Sequence, residues 1–365
     1  MSVAIRDGGA EAAPGAGRLL AAAARATLSA ADRESSLAAD FFLPAGDRPS
    51  DAVRAAMSRL FDQLVGGVEA DLRAALGPRI EEQWPAAAAA LASPRVPIAL
   101  PILDRAGLLR DTALIAFLAG RAATCRIVAA LRAVAERGDD PVDDTGQGAG
   151  LLAADRALML AEARRADATY EPAIDQRDVP AELFHRLVWR IAAALRYYLV
   201  RLHDVPAALA DRVIADIGRA IAEAHDEGET TDAAAIRLAR AFADEGGIDD
   251  RRLLDAWTRG RVELAAALLA PLGGIPYDHA LAALRDAAPD RLALLLKASG
   301  VGRDAALAIL VQHAAINGVG EPRLIDCVDD FSVLEPAAAR EAVEAWRLDE
   351  TYRQALAALA ERSAA

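Results

Sequence analysis

The chain has 365 residues and a net charge of −13; 54% of its residues are hydrophobic but only 4% are aromatic. This length is sufficient for two ordinary domains or for one extended repeat array. The acidic charge argues against a general affinity for nucleic acid or anionic lipid, because both require a basic surface. Alanine and leucine supply most of the apolar side chains and favour helices, and no alternating strand pattern occurs. We therefore predict an all-α fold.

The two cysteines, Cys125 and Cys327, are far apart in the sequence and do not form a Cys-x-x-Cys pair. Such sparse cysteines are typical of a reducing compartment, and we expect both to be buried as small apolar side chains. No secretory signal is evident, and no apolar run reaches the roughly 20 residues that a membrane-spanning helix needs. We therefore expect a cytoplasmic protein that does not bind membranes.

Composition along the chain predicts four segments. Residues 1–17 are rich in glycine and alanine without periodicity, so we predict that they are disordered. Residues 18–137 form an N-terminal helical lobe, and residues 151–365 form a C-terminal helical repeat lobe. Between them, residues 138–150 are glycine-rich and acidic, which predicts a flexible linker. The aspartates of this linker lack the spacing of a calcium loop, so we predict no metal site there.

Apolar spacing of helical type sets the predicted elements of each lobe. In the N-terminal lobe we expect Gly66-Gly67 to break one helix into two, and we expect a short helix at 111–119 separate from a longer one near 125–134. In the C-terminal lobe, Asp232 is the predicted N-cap of a helix at 233–242. The other helices predicted in this lobe are 151–167, 181–203, 206–225, 249–258, 262–270, 276–286, 289–299, 304–316 and 336–360.

A segment that occurs twice is the strongest indication of architecture. Residues 103–114 and 296–307 share Leu, Gly, Arg-Asp, Ala and Leu in register, 193 positions apart, from 103 to 296. A weaker third copy aligns Leu254 with Leu103 and lies 42 residues before Leu296. This interval falls within the roughly 40–47 residue period of HEAT and armadillo repeats. We therefore predict a HEAT-like α-solenoid of stacked helix pairs.

The repeat has an alternative explanation. In each copy an acidic residue, Asp111, Asp304 or Glu263, stands near the start of the second helix. Any helical hairpin with a glycine turn and an acidic residue at the next helix start would show the same pattern.

Several further motifs resemble a known family, an uncharacterised bacterial family that is defined as a domain of unknown function. The resemblance covers most of residues 29–312 and implies HEAT-like helical repeats, without an assigned activity or catalytic residues. The motifs that carry it include Ser29-x-x-Asp32-Arg33, Phe41-Phe42-x-Pro44, Val68-Glu69-x-x-Leu72-Arg73, Leu199-Val200-x-x-His203-x-x-Pro206 and Leu272-x-Gly274-Ile275-Pro276.

Motifs for catalysis or metal binding are missing from the sequence. The five histidines do not form a His-x-x-x-His pair, and no nucleophile elbow, phosphate-binding loop or dinucleotide fingerprint occurs. His225 and the neighbouring acids are interpreted as helix-capping and turn residues. His185 leaves open a phosphotransfer role, and His313 with Asn317 is interpreted as a polar pair on a surface helix. We predict no metal, no cofactor and no enzymatic activity.

The candidate binding surface lies on the predicted helix at 181–203. Arg186, Arg190, Tyr197 and Arg201 share one face, opposite an apolar stripe that we expect to include Leu202. Arginine with tyrosine is typical of interface anchors and also of nucleic-acid stacking surfaces, although a solvated face is an alternative. We predict a non-catalytic interaction or scaffold protein that binds a protein or peptide on a helical-repeat surface. The alternatives are a nucleic-acid-binding repeat, which the net charge makes unlikely, and a regulatory component of a signalling pathway.

Overall fold

A computed structural model of the chain describes residues 15–26, 52–93, 96–135, 149–165, 173–348 and 352. Within these ranges every regular element is helical, as the sequence predicts. The helices are α1 (15–26), α2 (Ala52–Ile80), α3 (Pro85–Ala92), α4 (Ala99–Arg105), α5 (Thr112–Ala135), α6 (Ala149–Ala163), α7 (Ala181–Leu202), α8 (Ala207–Glu223), α9 (Thr231–Glu245), α10 (Asp250–Thr258), α11 (Val262–Gly273), α12 (Tyr277–Arg285), α13 (Asp290–Ala298), α14 (Arg303–Ile316), α15 (Glu321–Val333) and α16 (Pro336–Glu344).

The chain forms two compact units that are each built from separate parts of the sequence. Unit 1 comprises Met1–Ala31, Ile127–Val142 and Phe242–Ala365, whereas unit 2 comprises Asp32–Arg126 and Asp143–Ala241. Each unit therefore draws on both of the predicted lobes. The predicted disordered segment and the predicted linker lie mostly outside the described residues; the described part of the former, from residue 15, is helical in α1, and residues 149 and 150 begin α6.

In unit 2, α2 is the long central helix, and α3, α4, α7 and α8 pack against it. The prediction that Gly66-Gly67 would break this helix is wrong. A glycine inside a helix costs only about 1 kcal/mol, and the apolar stripe of α2 is buried on both sides of the pair. Gly67 also lies close to the short 3-10 turn Gln176–Asp178 that precedes α7, since a Cβ on Gly67 would be 3.0 Å from Nε2 of Gln176. The fully buried residues of the stripe are Met57, Leu60, Leu64, Val68, Leu72 and Leu76.

One ion pair on α2 holds the ends of two neighbouring helices. The side chains of Glu69 and Arg73 are buried and lie 2.8 Å apart. Glu69 accepts hydrogen bonds from the amides of Ile98 and Ala99, at the start of α4, at 2.8 and 2.9 Å. Arg73 donates to carbonyl groups at the end of α3, among them that of Leu91 at 2.7 Å. The Glu-x-x-x-Arg motif thus supplies partners for backbone groups that a helix end leaves unsatisfied.

Helix α5 is continuous from Thr112 to Ala135, so the prediction of two separate helices in this region is wrong. Its apolar residues occur on several sides, which weakens the periodicity from which a break was inferred. Among the described residues, α5 is the one helix that is long and apolar enough to cross a membrane, with 44% of the relevant window buried within the protein. Core helices of soluble proteins have the same composition.

In unit 1, α13 is the central helix and packs against α11, α12, α14, α15 and α16. Every residue from Asp290 to Leu296 is buried, as is every residue of α11 from Val262 to Ala270. Helix α15 was not predicted. The predicted terminal helix at 336–360 is shorter in its described part, where α16 ends at Glu344 and a 3-10 turn follows.

Three helix–turn–helix connections share one turn geometry. Gly107, Gly260 and Gly300 have φ angles of 66°, 72° and 72°, a left-handed conformation that favours glycine. In each turn the residue after the glycine donates to the carbonyl five residues before it, with N–O distances of 2.8 to 3.1 Å. This is the Schellman motif. The hydrogen bond of Arg261 goes to Ala256, so Ala256 rather than Leu254 is the structural equivalent of Leu103.

The same turn also occurs outside the repeated segments. Gly274 and Gly318 have φ angles of 61° and 64°, and their following residues make the same backbone hydrogen bond. The capping rule for helix ends therefore accounts for the glycine that the two copies share. It does not require the shared leucine, because the equivalent residues of the other turns are Ala256, Ala270 and Ala314.

Candidate interaction surface

Helix α7 carries the predicted binding face and is strongly amphipathic. Its buried side packs against α2, α4 and α8, so the direction of the helix in unit 2 is fixed. Arg186, Arg190, Tyr197 and Arg201 project from the opposite side because residues three or four positions apart share a helix face. The buried residues are Phe184, Leu187, Val188, Ile191, Ala192, Ala194, Leu195 and Leu199.

The residues around His225 hold the start of α7. Nε2 of His225 lies 2.8 Å from the carbonyl oxygen of Val179, and its ring stacks on Phe184 with centroids 4.3 Å apart. Glu227 accepts a hydrogen bond from the amide of Ala181 at 2.6 Å, at the first residue of the helix. This cluster therefore caps and positions α7, whereas its sequence indicated a capping role at the neighbouring helix ends.

A buried carboxylate, Asp178, lies immediately before α7. It forms an ion pair with Arg165 at 2.5 Å and accepts hydrogen bonds from the amide and hydroxyl of Thr231 at 2.7 and 3.3 Å. Burial alone would raise the pKa of Asp178, but Arg165, the Thr231 amide and the charge of Arg121 together lower it.

The N-cap of α9 is Thr230, whose hydroxyl accepts from the amide of Ala233 at 3.0 Å, so the prediction of Asp232 in this role is wrong.

The N-terminal half of the predicted face is bound to another part of unit 2. Asp111, at the start of α5, lies 2.9 Å from Nη1 of Arg190 and 3.3 Å from Nε of Arg186. Arg186 also forms an ion pair with Glu182 at 2.9 Å. The guanidinium groups of these two arginines thus hold α7 against the start of α5. Their role as partner-binding residues stays a prediction.

Asp111 is an ionised carboxylate with two kinds of partner, backbone amides and arginine side chains. Its Oδ1 accepts hydrogen bonds from the amides of Ala113 and Leu114 at 3.1 and 3.2 Å, which makes it the N-cap of α5. Burial alone would raise its pKa, but the Leu114 amide and the two arginines outweigh that effect and lower the pKa. The positive charges of Arg186 and Arg190 are therefore partly balanced within the protein.

The C-terminal half of the face is open to solvent. Tyr197 on this face is 52% exposed and Arg201 is also exposed, and Leu202, at the end of the opposite apolar side, is 67% exposed. We call these three residues the α7 end. Leu202 was predicted to lie in the buried stripe, but α7 stops there: Asp204 adopts a positive φ of 52° and Val205 turns back into the core. The Asp204-Val205-Pro206 sequence could have indicated this helix end, because a residue that precedes proline disfavours the helical conformation. Leu202 is uncovered because the helix ends there.

The other histidines and cysteines that the sequence singled out contact a neighbouring side chain or are at least partly buried. His185 is exposed and lies edge-on to Trp189, with ring centroids 6.1 Å apart. His313 does contact Asn317, whose amide donates to its carbonyl at 2.8 Å, but His313 is fully buried, so the expectation of a surface pair is wrong. Both cysteines were expected to be buried, but Cys125 is only partly buried. Cys327 is buried, and burial together with nearby Asp290 raises its pKa to about 12. Its thiol is therefore unreactive at neutral pH.

Unit 2 also contains a cleft of about 720 Å³ beside the start of α7. Its polar residues bind one another: Asp175 lies 3.2 Å from Arg164 and 3.2 Å from Arg177, and the Gln176 side chain donates to Asp71 at 3.0 Å. Among the described residues no group of three or more His, Cys, Asp or Glu side chains could hold a metal ion. Within that part of the chain, the α7 end is the feature that combines exposed aromatic, basic and aliphatic side chains on one packed helix.

The fold and this surface define an all-helical protein with an exposed aromatic and basic helix end. The chain belongs to a family described as an uncharacterised protein conserved in bacteria (DUF2336), which matches residues 98–344. The match includes α7 and most of unit 1 but not the motifs within residues 29–73 that contribute to the resemblance. No curated protein and no solved structure matches the chain significantly.

Proposed function

We propose that the protein is a non-catalytic interaction or scaffold protein that binds a protein or peptide through the α7 end. The observation that carries this proposal is the exposure of Tyr197 and Arg201 on a helix whose other side is packed, together with the exposure of Leu202 where that apolar side ends. Tyrosine and arginine are the residue types that most often dominate binding energy at protein interfaces. A packed helix presents them without a large loss of conformational entropy on binding.

The proposal separates the four predicted arginine and tyrosine residues into two roles. Arg186 and Arg190 position α7 through Asp111, whereas Tyr197 and Arg201 are available to a partner. Arg190→Glu should therefore lower the melting temperature, because it places two negative charges side by side. Arg201→Glu should leave the melting temperature unchanged and act on binding alone.

In-cell crosslinking tests the proposal. A photoreactive amino acid at position 202 of the full-length chain should crosslink to a defined protein, which mass spectrometry identifies. The double variant Tyr197→Ala/Arg201→Glu should reduce this product by at least about tenfold, since removal of one or two interface anchors costs about 2 kcal/mol or more.

Two controls accompany the crosslinking experiment. The matched variant Leu272→Ala/Arg251→Glu makes the same kinds of change at exposed residues of unit 1 and should preserve the product. A photoreactive group at Val311, which is 50% exposed, reports nonspecific crosslinking. Equal product from wild type and from the Tyr197→Ala/Arg201→Glu variant would contradict the proposal, as would a yield at position 202 no higher than at position 311.

HEAT-like stacking of helix pairs is retained as the architectural part of the proposal. It is supported by the pairs α10–α11 and α13–α14, whose two helices contact each other and which have comparable helix lengths. An experimentally determined structure tests it. A constant rotation from one pair to the next is expected of a solenoid, whereas unrelated rotations would contradict it.

A further inference from the structure

A small cleft of about 200 Å³ lies in unit 1, where the end of α13, the start of α14 and the end of α15 meet. Pro336, the first residue of α16, completes its lining. We call it the α13–α14 cleft. Two cations line it, Lys297 on α13 and Arg303 on α14, and none of the described residues of the lining is acidic. The cleft is therefore positively charged, although the chain has a net charge of −13.

Three other clefts formed by the described residues contain arginine together with acidic side chains. In each of them an arginine forms an ion pair with an acid of the same lining: Arg73 with Glu69, Arg164 with Asp175, and Arg18 with Asp330. The α13–α14 cleft differs because its own lining does not balance its cations.

Contacts within unit 1 hold Lys297, the one lysine of the chain, in place. Its Nζ donates to the carbonyl oxygen of Phe331 at 3.0 Å and lies 4.8 Å from the centre of the Phe331 ring. An ammonium group has three N–H donors, and the Phe331 carbonyl occupies one of them. The side chain is partly buried, so a ligand of the cleft would meet an ammonium group whose position is already fixed.

Arg303 supplies the second cation. It is exposed, and within the described part of the chain no acidic side chain forms an ion pair with Arg303 or Lys297. The carboxylate of Asp250 already binds the amide of Gly302 at the start of α14, at 2.9 Å. An anion in the cleft would therefore be held by the two cations and not by the helix end.

The charges of the cleft match a phosphate group. A phosphomonoester has a second pKa of about 6 and is therefore close to a dianion at neutral pH, whereas a carboxylate carries one negative charge. The fork of an arginine donates to two phosphate oxygens, and a lysine ammonium acts as a point charge on another. We propose that the α13–α14 cleft binds a phosphate group, with Lys297 and Arg303 as its cationic ligands.

Protection of Lys297 from acetylation tests the proposal. Because the chain has no other lysine, a short pulse of an N-hydroxysuccinimide ester followed by mass spectrometry of the peptide that contains Lys297 reports on this one side chain. The full-length chain is titrated with inorganic phosphate at constant ionic strength. At about ten times the Kd, mass action should slow the acetylation of Lys297 about tenfold. The acetylation of a reference lysine peptide in the same tube should not change.

A second titration identifies the source of the phosphate group. It uses a short peptide that contains phosphoserine and is blocked at both ends. A midpoint for this peptide that is at least about tenfold lower than that for inorganic phosphate would indicate a phosphorylated protein as the source. Equal midpoints would indicate a small phosphate compound.

Two pairs of variants locate the bound phosphate. Arg303→Gln should weaken phosphate binding by about tenfold to a hundredfold, the usual effect of losing a charged hydrogen bond. Arg340→Gln makes the same change at an exposed residue of α16 outside the cleft and should behave as the wild type. Ser332→Glu places a carboxylate in the lining and should also weaken binding. Ser332→Ala loses only the hydrogen bond to the carbonyl of Val328 and should preserve it. Circular dichroism confirms that each variant is folded.

Three results would overturn the proposal. The first is protection of Lys297 by phosphate that is no greater than protection by sodium chloride at the same ionic strength. The second is equal protection by acetate, which would show that the cleft does not select a dianion. The third is an unchanged midpoint in both Arg303→Gln and Ser332→Glu, which would place the phosphate elsewhere. The cleft belongs to unit 1 and the α7 end to unit 2, so none of these results bears on crosslinking at the α7 end.

Discussion

The two copies of the repeated segment, residues 103–114 and 296–307, have the same turn but different partners. In both, a glycine in the left-handed conformation ends the first helix with the same pair of backbone hydrogen bonds. In the first copy the second helix starts at Thr112 and Asp111 caps it. In the second copy the helix starts at Arg303 and the aligned acid, Asp304, is an exposed residue of the first turn.

The cap of α14 comes from a different helix. The amide of Gly302 donates to Oδ2 of Asp250, at the start of α10, at 2.9 Å. A Cβ on Gly302 would lie 2.5 Å from that oxygen, so the close approach requires glycine. The comparison shows that a local rule fixes the turn, whereas tertiary packing decides which carboxylate reaches the next helix start.

The largest expected difference between the copies is in their aligned acids. Asp111→Ala removes an N-cap and leaves Arg186 and Arg190 without their shared carboxylate, so it should lower the free energy of unfolding by about 2–3 kcal/mol. Asp304→Ala should change it by less than about 0.5 kcal/mol, as is usual for an exposed residue. Urea denaturation of the two variants measures both values. Equal losses would show that the aligned acids have equivalent roles.

A smaller and equal effect is expected at the two turn glycines. Gly107→Ala and Gly300→Ala should each destabilise by about 1 kcal/mol, because alanine is strained at a positive φ. A Cβ at either position meets no atom within 4 Å, so no steric term should distinguish them.

The turn-glycine prediction has an internal control of opposite sign. Gly66→Ala, within α2 and with open space around it, should stabilise the protein by about 0.5–1 kcal/mol. The three variants are compared by thermal and urea denaturation. A loss at Gly107 that is several-fold larger than the loss at Gly300 would contradict the equivalence of the two turns.

The smallest effect is a pH dependence that only the first copy should show. The pKa of Asp111 is lowered in the folded state, so its ionised form contributes stability above the unfolded-state pKa of about 4. This contribution is lost as pH falls through the folded-state value. Asp111→Asn keeps a capping side chain but cannot ionise. The stability difference between wild type and this variant should therefore be constant above about pH 5 and shrink below about pH 4. Urea titrations from pH 6 to 3 measure it, and a constant difference over that range would rule out the ion pairs as its origin.

The sequence predicted a helix most accurately where its local apolar pattern was sufficient to determine the boundaries. The boundaries of α7 differ from the prediction by one residue, because its apolar stripe is regular and Pro180 and Pro206 flank it. The same approach failed for α2, where buried packing outweighs two glycines, and for α15, which was not predicted. In α15 the buried positions Cys327, Asp330 and Phe331 include a charged residue. The carboxylate of Asp330 pairs with Arg18 of α1 at 2.7 Å. A pattern read over a few neighbouring residues cannot predict this contact, because the two residues are far apart in the sequence.

The candidate surface could be predicted only in part. The face of α7 that carries Arg186, Arg190, Tyr197 and Arg201 follows from helical periodicity alone. The division of this face into a half that pairs with Asp111 and a half that is open to solvent could not be predicted. It depends on Asp111, which is 79 residues from Arg190 in the sequence. The exposure of Leu202 depends equally on where the chain turns after the helix.

The sequence by itself determined the helical class, the glycine turns and the amphipathic character of α7, because each depends on backbone preferences and spacing over a few residues. Tertiary structure alone decided that Asp111 binds two arginines of α7, that Asp250 caps α14, and that α1 packs on α15. These contacts join residues that are distant in the sequence, and their energies depend on burial and on geometry between helices. Short-range patterns carry no information about either quantity.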